Sequence, residues 1–194
     1  SDLKSLIIQH AEDAELSKDG MINDGIIATK LGLQGIPISA ESLIIERDLT
    51  LLEYNNCRYH IAQISSANSV DIIRERKNKV NFSCGVSINN LSLNENDIGD
   101  FKTFLKLSPP LRTETDRNAL VQGLNDKTID VIVSDHKPED EENKRLTFAQ
   151  AETGASGIET LLPLSLELYH NGSVELETII TVSYTHLRAH ETMV

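Results

Sequence analysis

Apolar and polar positions alternate along this chain in short, regularly spaced blocks. Leu6-Ile7-Ile8 is a brief strand-like run that leads into Gln9, His10, Ala11, Glu12 and Asp13. Residues 58–64 and 80–86 read as two more strands, and 129–133 as a fourth. The last is a β-branched run of the kind that suits a strand covered on both faces, as in a parallel sheet. Between the strands the period changes to a helical one. Residues 39–52 predict a helix with Leu43, Ile44, Leu49 and Leu52 facing inward and Glu41, Glu46, Arg47 and Asp48 facing out, Ser39 serving as N-cap. Residues 69–78 predict a helix that buries Val70, Ile72 and Ile73 and exposes Arg74, Glu75, Arg76 and Lys77. Residues 115–124 predict another, capped by Thr113, and 157–169 a leucine-rich one that Asn171-Gly172 ends. Residues 18–37 read as a glycine-containing connector and 137–145 as an acidic loop with lysines. Residues 107–112 form a rigid extended segment, since each proline fixes its own φ and biases the residue before it away from helix.

Strand, helix, strand, helix in this order means βα units and a parallel sheet, with about four units visible. No linker or subdomain boundary interrupts them. Gly20, Gly25, Gly32 and Gly35 are spaced wrongly for a dinucleotide or phosphate loop. The run 129–133 ends by presenting Asp135 and His136, and polar groups at the C-terminal ends of such strands are where α/β barrels and sheets place their chemistry.

Composition narrows the picture. The 194 residues make one domain or part of a larger one, 39% hydrophobic but only 4% aromatic, so the core must be built from Ile, Leu and Val. The formal charge of −12 opposes nucleic acid and anionic membranes and reads as a solvated acidic surface. No apolar run approaches the roughly 20 residues of a membrane span, and no signal peptide is visible. Cys57 and Cys84 are distant and form no CxxC pair, which predicts two buried reduced thiols in a cytoplasmic protein.

The ordered set His10-Ala11-Glu12-Asp13, Gly35-Ile36-Pro37 with Ala40-Glu41, Arg47-Asp48, Tyr59-His60-Ile61-Ala62-Gln63-Ile64-Ser65, Ser108-Pro109-Pro110-Leu111-Arg112, Ser134-Asp135-His136 and Gly157-Ile158-Glu159-Thr160 resembles the C-terminal half of a bacterial dihydroorotase. That family belongs to the amidohydrolase superfamily of metal-dependent (β/α)8 barrels. The resemblance implies an α/β fold, a partial TIM-type barrel supplying the later βα units over residues 1–182. The strands with the paired His-x-His ligands, the substrate-binding Arg and the bridging acid are expected ahead of this sequence. Residues 183–194 read as a non-native, adapter-derived tail, so the chain is expected to be truncated at both ends, and the i, i+4 pair His186 and His190 is read as chance.

Carried over residue by residue, the resemblance makes His10 a zinc ligand at the end of the fifth barrel strand. It makes Asp135 the metal-ligating acid that doubles as general base. Gln63 stands where the next ligand histidine belongs, and a neutral amide is a poor substitute for imidazole on zinc. His60, three residues earlier, falls on the opposite strand face by the period of two. Asn89 and Asn90 occupy a Pro-His-His-like place. Ser108 replaces a substrate-contacting Asn, and Glu139 replaces a substrate-binding His, setting a negative charge where an anion should dock. Without the resemblance, His10 would read as a hydrogen-bonded strand-end histidine, Asp135 as a turn cap, and the adjacent Glu12 and Asp13 as turn or N-cap residues. The implied function is a dihydroorotase-like pseudoenzyme with weak or no zinc, a structural partner of aspartate carbamoyltransferase. The alternative is an active zinc enzyme interconverting N-carbamoyl-L-aspartate and L-dihydroorotate.

Overall fold

A computed structural model describes residues 5–55 and 57–191, with side chains as far as Ser183. Four strands form one parallel sheet: β1 (Leu6–Gln9), β4 (Arg58–Ile64), β5 (Ser83–Ser87) and β6 (Val131–Val133). Their spatial order, β1-β4-β5-β6, is also their chain order, so each βα unit adds its strand beside the last and the sheet never reverses. That is how a barrel wall is wound, whereas a doubly wound open sheet has a switch point.

The helices α2 (Ser39–Tyr54), α3 (Ala67–Arg76) and α5 (Glu114–Asn125) connect the strands. They cover one sheet face, where Ile61, Ile64, Cys84, Val86 and Ile132 share a buried cluster with Ile45, Leu49, Val70, Ile73, Leu120 and Leu124. Further along lie the short α4 (Ile88–Ser92) and α6 (Glu141–Lys144), then α7 (Ile158–His170) and α8 (Leu176–Glu191). The backbone of α8 runs through most of the expected tail; the side chains from Tyr184 onward, including His186 and His190, lie outside the described residues.

The other sheet face is open. Leu6, Ile8, His60, Ala62, Val131 and Val133 line a cavity of about 720 Å³. The run around β6 is therefore covered on one face only among the described residues: Ile132 is buried while Val131 and Val133 are half-buried. Its apolar character is that of a barrel interior wall.

Three local expectations change. On α2 the inward stripe is Glu41, Ile44, Ile45, Leu49 and Leu52, and Leu43 is half exposed. Steps of three and four put residues 41, 45, 49 and 52 on one face, and residue 43 lies round the helix from them. Ser39 does not cap, because Ile38 already has helical dihedrals (φ −57°, ψ −33°) and Ser39 sits in the first turn. Residues 18–37 are also more than a connector. They hold β2 (Ile22–Asn23), α1 (Ile26–Leu31) and β3 (Gly35–Ile36), with β2 and β3 paired in parallel. Ile22, Ala28, Ile98, Leu107, Leu111 and Phe148 make a second small core there. Strands of two residues carry no readable periodicity.

The expected Thr113 cap is present. Thr113 Oγ1 accepts from the Asp116 amide at 3.2 Å, and Asp116 Oδ2 accepts from the Thr113 amide at 3.1 Å. The second Asp116 oxygen accepts from the Ala67 amide at 2.8 Å, which ties the start of α3 to the start of α5.

Candidate functional site

The residues singled out by the sequence gather at the C-terminal ends of the sheet strands. His10 follows β1, Gln63 ends β4 and Asp135 follows β6. Ser108 arrives on the proline segment, whose Ser108–Pro109 bond is cis.

Gln63 reaches Asp135 because β4 is irregular. The pairing of β4 with β5 shifts register between Ile61 and Ile64. The shift breaks the period of two, so Ala62 and the neighbouring Gln63 both line the open cavity, together with His60. The expectation that His60 lies on the opposite face from Gln63 fails for this reason. His60 is nevertheless engaged elsewhere, its Nδ1 lying 2.7 Å from Ser83 Oγ.

Gln63 Nε2 donates to Asp135 Oδ1 at 2.8 Å. An ionised carboxylate only accepts, so the amide must turn its N–H toward it. Gln63 Oε1 is left buried without a partner. Asp135 itself is in the left-handed region, φ 49°, which Asp tolerates better than most residues. Its neighbour His136 turns away: Nδ1 accepts from the Gly157 amide at 3.1 Å, tying the strand end to the start of α7. A Cβ at Gly157 would lie 2.0 Å from the Ser134 carbonyl oxygen, so the chain can pass there only as glycine.

His10 has its own partners. Its Nε2 lies 3.6 Å from Glu12 Oε2 and 3.3 Å from Ser108 Oγ, and that hydroxyl is 3.4 Å from the same Glu12 oxygen. The Glu12 contact raises the imidazole pKa above its usual value against the opposing effect of burial, and it lowers that of Glu12. The two acids expected to share a turn role separate. Asp13 accepts from the Glu15 and Leu16 amides, while Glu12 enters the site. Glu139 stays apart from these groups, its carboxylate 3.6 Å from Lys137 Nζ. Asn89 and Asn90 are buried behind the site; Asn90 Nδ2 donates to the Pro110 carbonyl at 3.0 Å and so braces the proline segment.

Beneath lies a buried polar network that the sequence reading missed. Both Glu41 oxygens accept from the Ser65 amide at 3.0 Å, and Glu41 also receives the hydroxyls of Ser65, Ser66 and Ser69. Arg112, 3% exposed, donates from Nε to Ser65 Oγ at 3.1 Å and from Nη1 to Asn23 Oδ1 at 2.8 Å and the Ile36 carbonyl at 2.6 Å. Asn23 Nδ2 in turn donates to Glu95 Oε2 at 2.6 Å. The network joins α2, the end of β4, the small β2–β3 sheet and the proline segment. Only the Ala40-Glu41 and Leu111-Arg112 pairs of the resemblance hinted at it.

His10 and Asp135 are the residues of this chain that would hold the metal the resemblance implies. Asp135 is engaged by an N–H donor, and His10 Nε2 faces a carboxylate and a hydroxyl. Among the described residues no group of three His, Cys, Asp or Glu side chains is placed to hold an ion. What remains is an imidazole–carboxylate pair and an amide-bound acid.

A parallel sheet wound in chain order, with polar groups collected at its strand ends, defines part of an amidohydrolase-type barrel. Solved structures agree on the fold. The chain superposes on dihydropyrimidinase from Brevibacillus agri with a TM-score of 0.79 at 22% identity, covering 93% of this chain and 42% of that one. It superposes on L-hydantoinase from Arthrobacter aurescens with a TM-score of 0.78 at 25% identity, covering 92% and 42%. A family model described as Dihydro-orotase-like matches residues 1–69. The dihydroorotase of Ehrlichia canis is 43% identical over 185 residues, 94% of this chain and 41% of that protein. The dihydroorotase of Anaplasma phagocytophilum is 42% identical over 182 residues, 93% and 41%. The chain is similar to dihydroorotases over nearly all of its length, and it spans about two fifths of the length of the curated relatives it matches.

Proposed function

We propose that this chain is the site-bearing part of a dihydroorotase-related protein of pyrimidine biosynthesis whose hydrolytic site is disabled, and that the protein serves as a structural partner of aspartate carbamoyltransferase. The observation that carries the reading is the Gln63–Asp135 hydrogen bond. The acid that would act as general base is occupied by the side chain standing where a ligand histidine is expected. Ser108 supports it, since its hydroxyl turns toward His10 and Glu12. Glu139 supports it as well: a carboxylate stands where the resemblance expects a substrate-binding histidine, and the nearby Lys137 offsets only part of the repulsion it sets against an anionic substrate. In this reading zinc binding is weak or absent, and the protein is cytoplasmic.

The retention of His10 and Asp135, and the names of the relatives, favour a second reading, an active cyclic amidohydrolase interconverting N-carbamoyl-L-aspartate and L-dihydroorotate. One experiment separates the two. The reading frame that carries this sequence is expressed in zinc-supplemented medium, assayed for cyclisation of N-carbamoyl-L-aspartate, and run with aspartate carbamoyltransferase on a sizing column. Co-elution without turnover supports the first reading. Turnover at an ordinary enzymatic rate with stoichiometric zinc overturns it.

A further inference from the structure

Beside His10 and Ser108 lies a second, smaller cavity, of about 280 Å³. That is at the lower limit for small-molecule sites, which run from about 300 Å³ upward, so its occupant must be compact. The walls come from distant parts of the chain. Glu12 stands on the loop after β1, Ser108 on the proline segment, Lys137 between β6 and α6, and Thr153 between α6 and α7. Met21, Ile36 and Leu107 supply an apolar wall. Ile36 and Leu107 are buried and part of the folded frame.

Two of the polar groups have spare capacity. The Thr153 hydroxyl makes no hydrogen bond to another described residue. Among the described residues the Lys137 ammonium has only the Glu139 carboxylate, 3.6 Å away and beyond hydrogen-bond distance.

The wall that carries them is rigidly built. Lys106, 8% exposed, donates from Nζ to the Ala149 and Ala151 carbonyls at 3.1 and 2.8 Å. Lys144, 3% exposed, donates to the Thr103 and Glu152 carbonyls at 3.2 and 2.7 Å. The Gly154 amide donates to the Lys106 carbonyl at 2.9 Å, and the Lys137 amide to the Ala155 carbonyl at 2.9 Å. Two buried ammonium groups thus pin the segment before Thr153 to the body of the protein, and the Gly154 amide pins the residue after it.

We propose that this cavity binds a small aliphatic α-amino acid as its zwitterion. The cavity presents one carboxylate and one ammonium, which match a ligand of opposite charges and no net charge. The α-ammonium faces Glu12 and the Ser108 hydroxyl, the α-carboxylate faces Lys137 and Thr153, and the side chain lies on Met21, Ile36 and Leu107. A dicarboxylate is a poor fit, because Lys137 is the sole lysine or arginine among the described residues that line these walls, and Glu12 and Glu139 are both near. The inference goes beyond the function proposed above and does not depend on whether the protein turns anything over.

Calorimetric titration of the 194-residue chain with L-valine, L-leucine and L-methionine tests it, with N-acetyl-L-leucine, L-leucine amide and N-carbamoyl-L-aspartate as controls. At least one free amino acid should bind saturably. Blocking either end of leucine should weaken binding about tenfold or more, the usual weight of a hydrogen bond to a charged group. Lys137→Met and Glu12→Gln should each do the same, and N-carbamoyl-L-aspartate should bind more weakly than leucine. The ligand series on the unaltered chain decides the question even where a variant folds poorly. Absence of saturable binding by all three amino acids overturns the proposal, as does equal binding of the blocked forms.

Discussion

Gln63 Nε2 and Asp135 Oδ1 are 2.8 Å apart, though the residues come from strands with β5 between them. The bond turns an acid at a barrel strand end into the acceptor of a neutral amide. Metal retention follows from it. The purified chain is expected to keep only substoichiometric zinc after dialysis, measured by plasma mass spectrometry, and Gln63→His should raise the retained amount. If wild type and variant hold equal, stoichiometric zinc, the amide does not control the site.

The contact between His10 and Glu12 makes a pH prediction. Glu12 is the main cause that raises the imidazole pKa, so that value should exceed 6.5. Its contribution to stability is complete below about pH 6.5 and fades as pH rises through the raised value. Glu12, whose pKa is lowered, contributes above about 4.5 and loses its part as pH falls through the depressed value. The pair is therefore intact between about pH 4.5 and 6.5. Proton NMR titration of His10 should show the raised pKa, and Glu12→Gln should move it downward. No movement would mean that another group sets it.

Arg112 and Glu41 hold several elements through one buried network. Removing one charge strands the other, which in comparable buried networks costs about 3–5 kcal/mol. Arg112→Leu and Glu41→Leu are each expected to lose that much in urea denaturation. The double variant should lose less than the sum, because the two act through the shared Ser65 hydroxyl. Additive losses would show that the two side chains act independently.

Gly157 is required by packing. Gly157→Ala brings a methyl group against the Ser134 carbonyl oxygen, and forcing the two apart should cost about 1–3 kcal/mol. The same shift loosens the His136 tether at the start of α7, so hydrogen exchange of the Ile158 amide should quicken in the variant. Unchanged stability and exchange would show that the strand end relaxes freely.

The cap of α5 offers a smaller effect. Thr113→Ala removes the side-chain oxygen that accepts from the Asp116 amide and should cost about 1 kcal/mol by thermal melting. Thr113→Ser should restore most of it.

The sequence by itself determined the scaffold and the places where chemistry could sit. Strands at 6–8, 58–64 and 129–133, the helices after them and the Thr113 cap were all readable, because period and capping are local and each is written in adjacent residues. The positions of His10, Gln63 and Asp135 at strand ends followed from the same pattern. What those side chains do was decided only in three dimensions. His10 meets a hydroxyl 98 residues away, and Gln63 meets a carboxylate 72 residues away. A register shift in β4 selects the face that Gln63 takes. Glu41 looked like a solvated helix charge and is instead buried, because the donors that make its burial tolerable come from Ser65, Ser66 and Ser69 across the fold. A charge can be taken out of water only where its partners converge, and that convergence belongs to the folded chain.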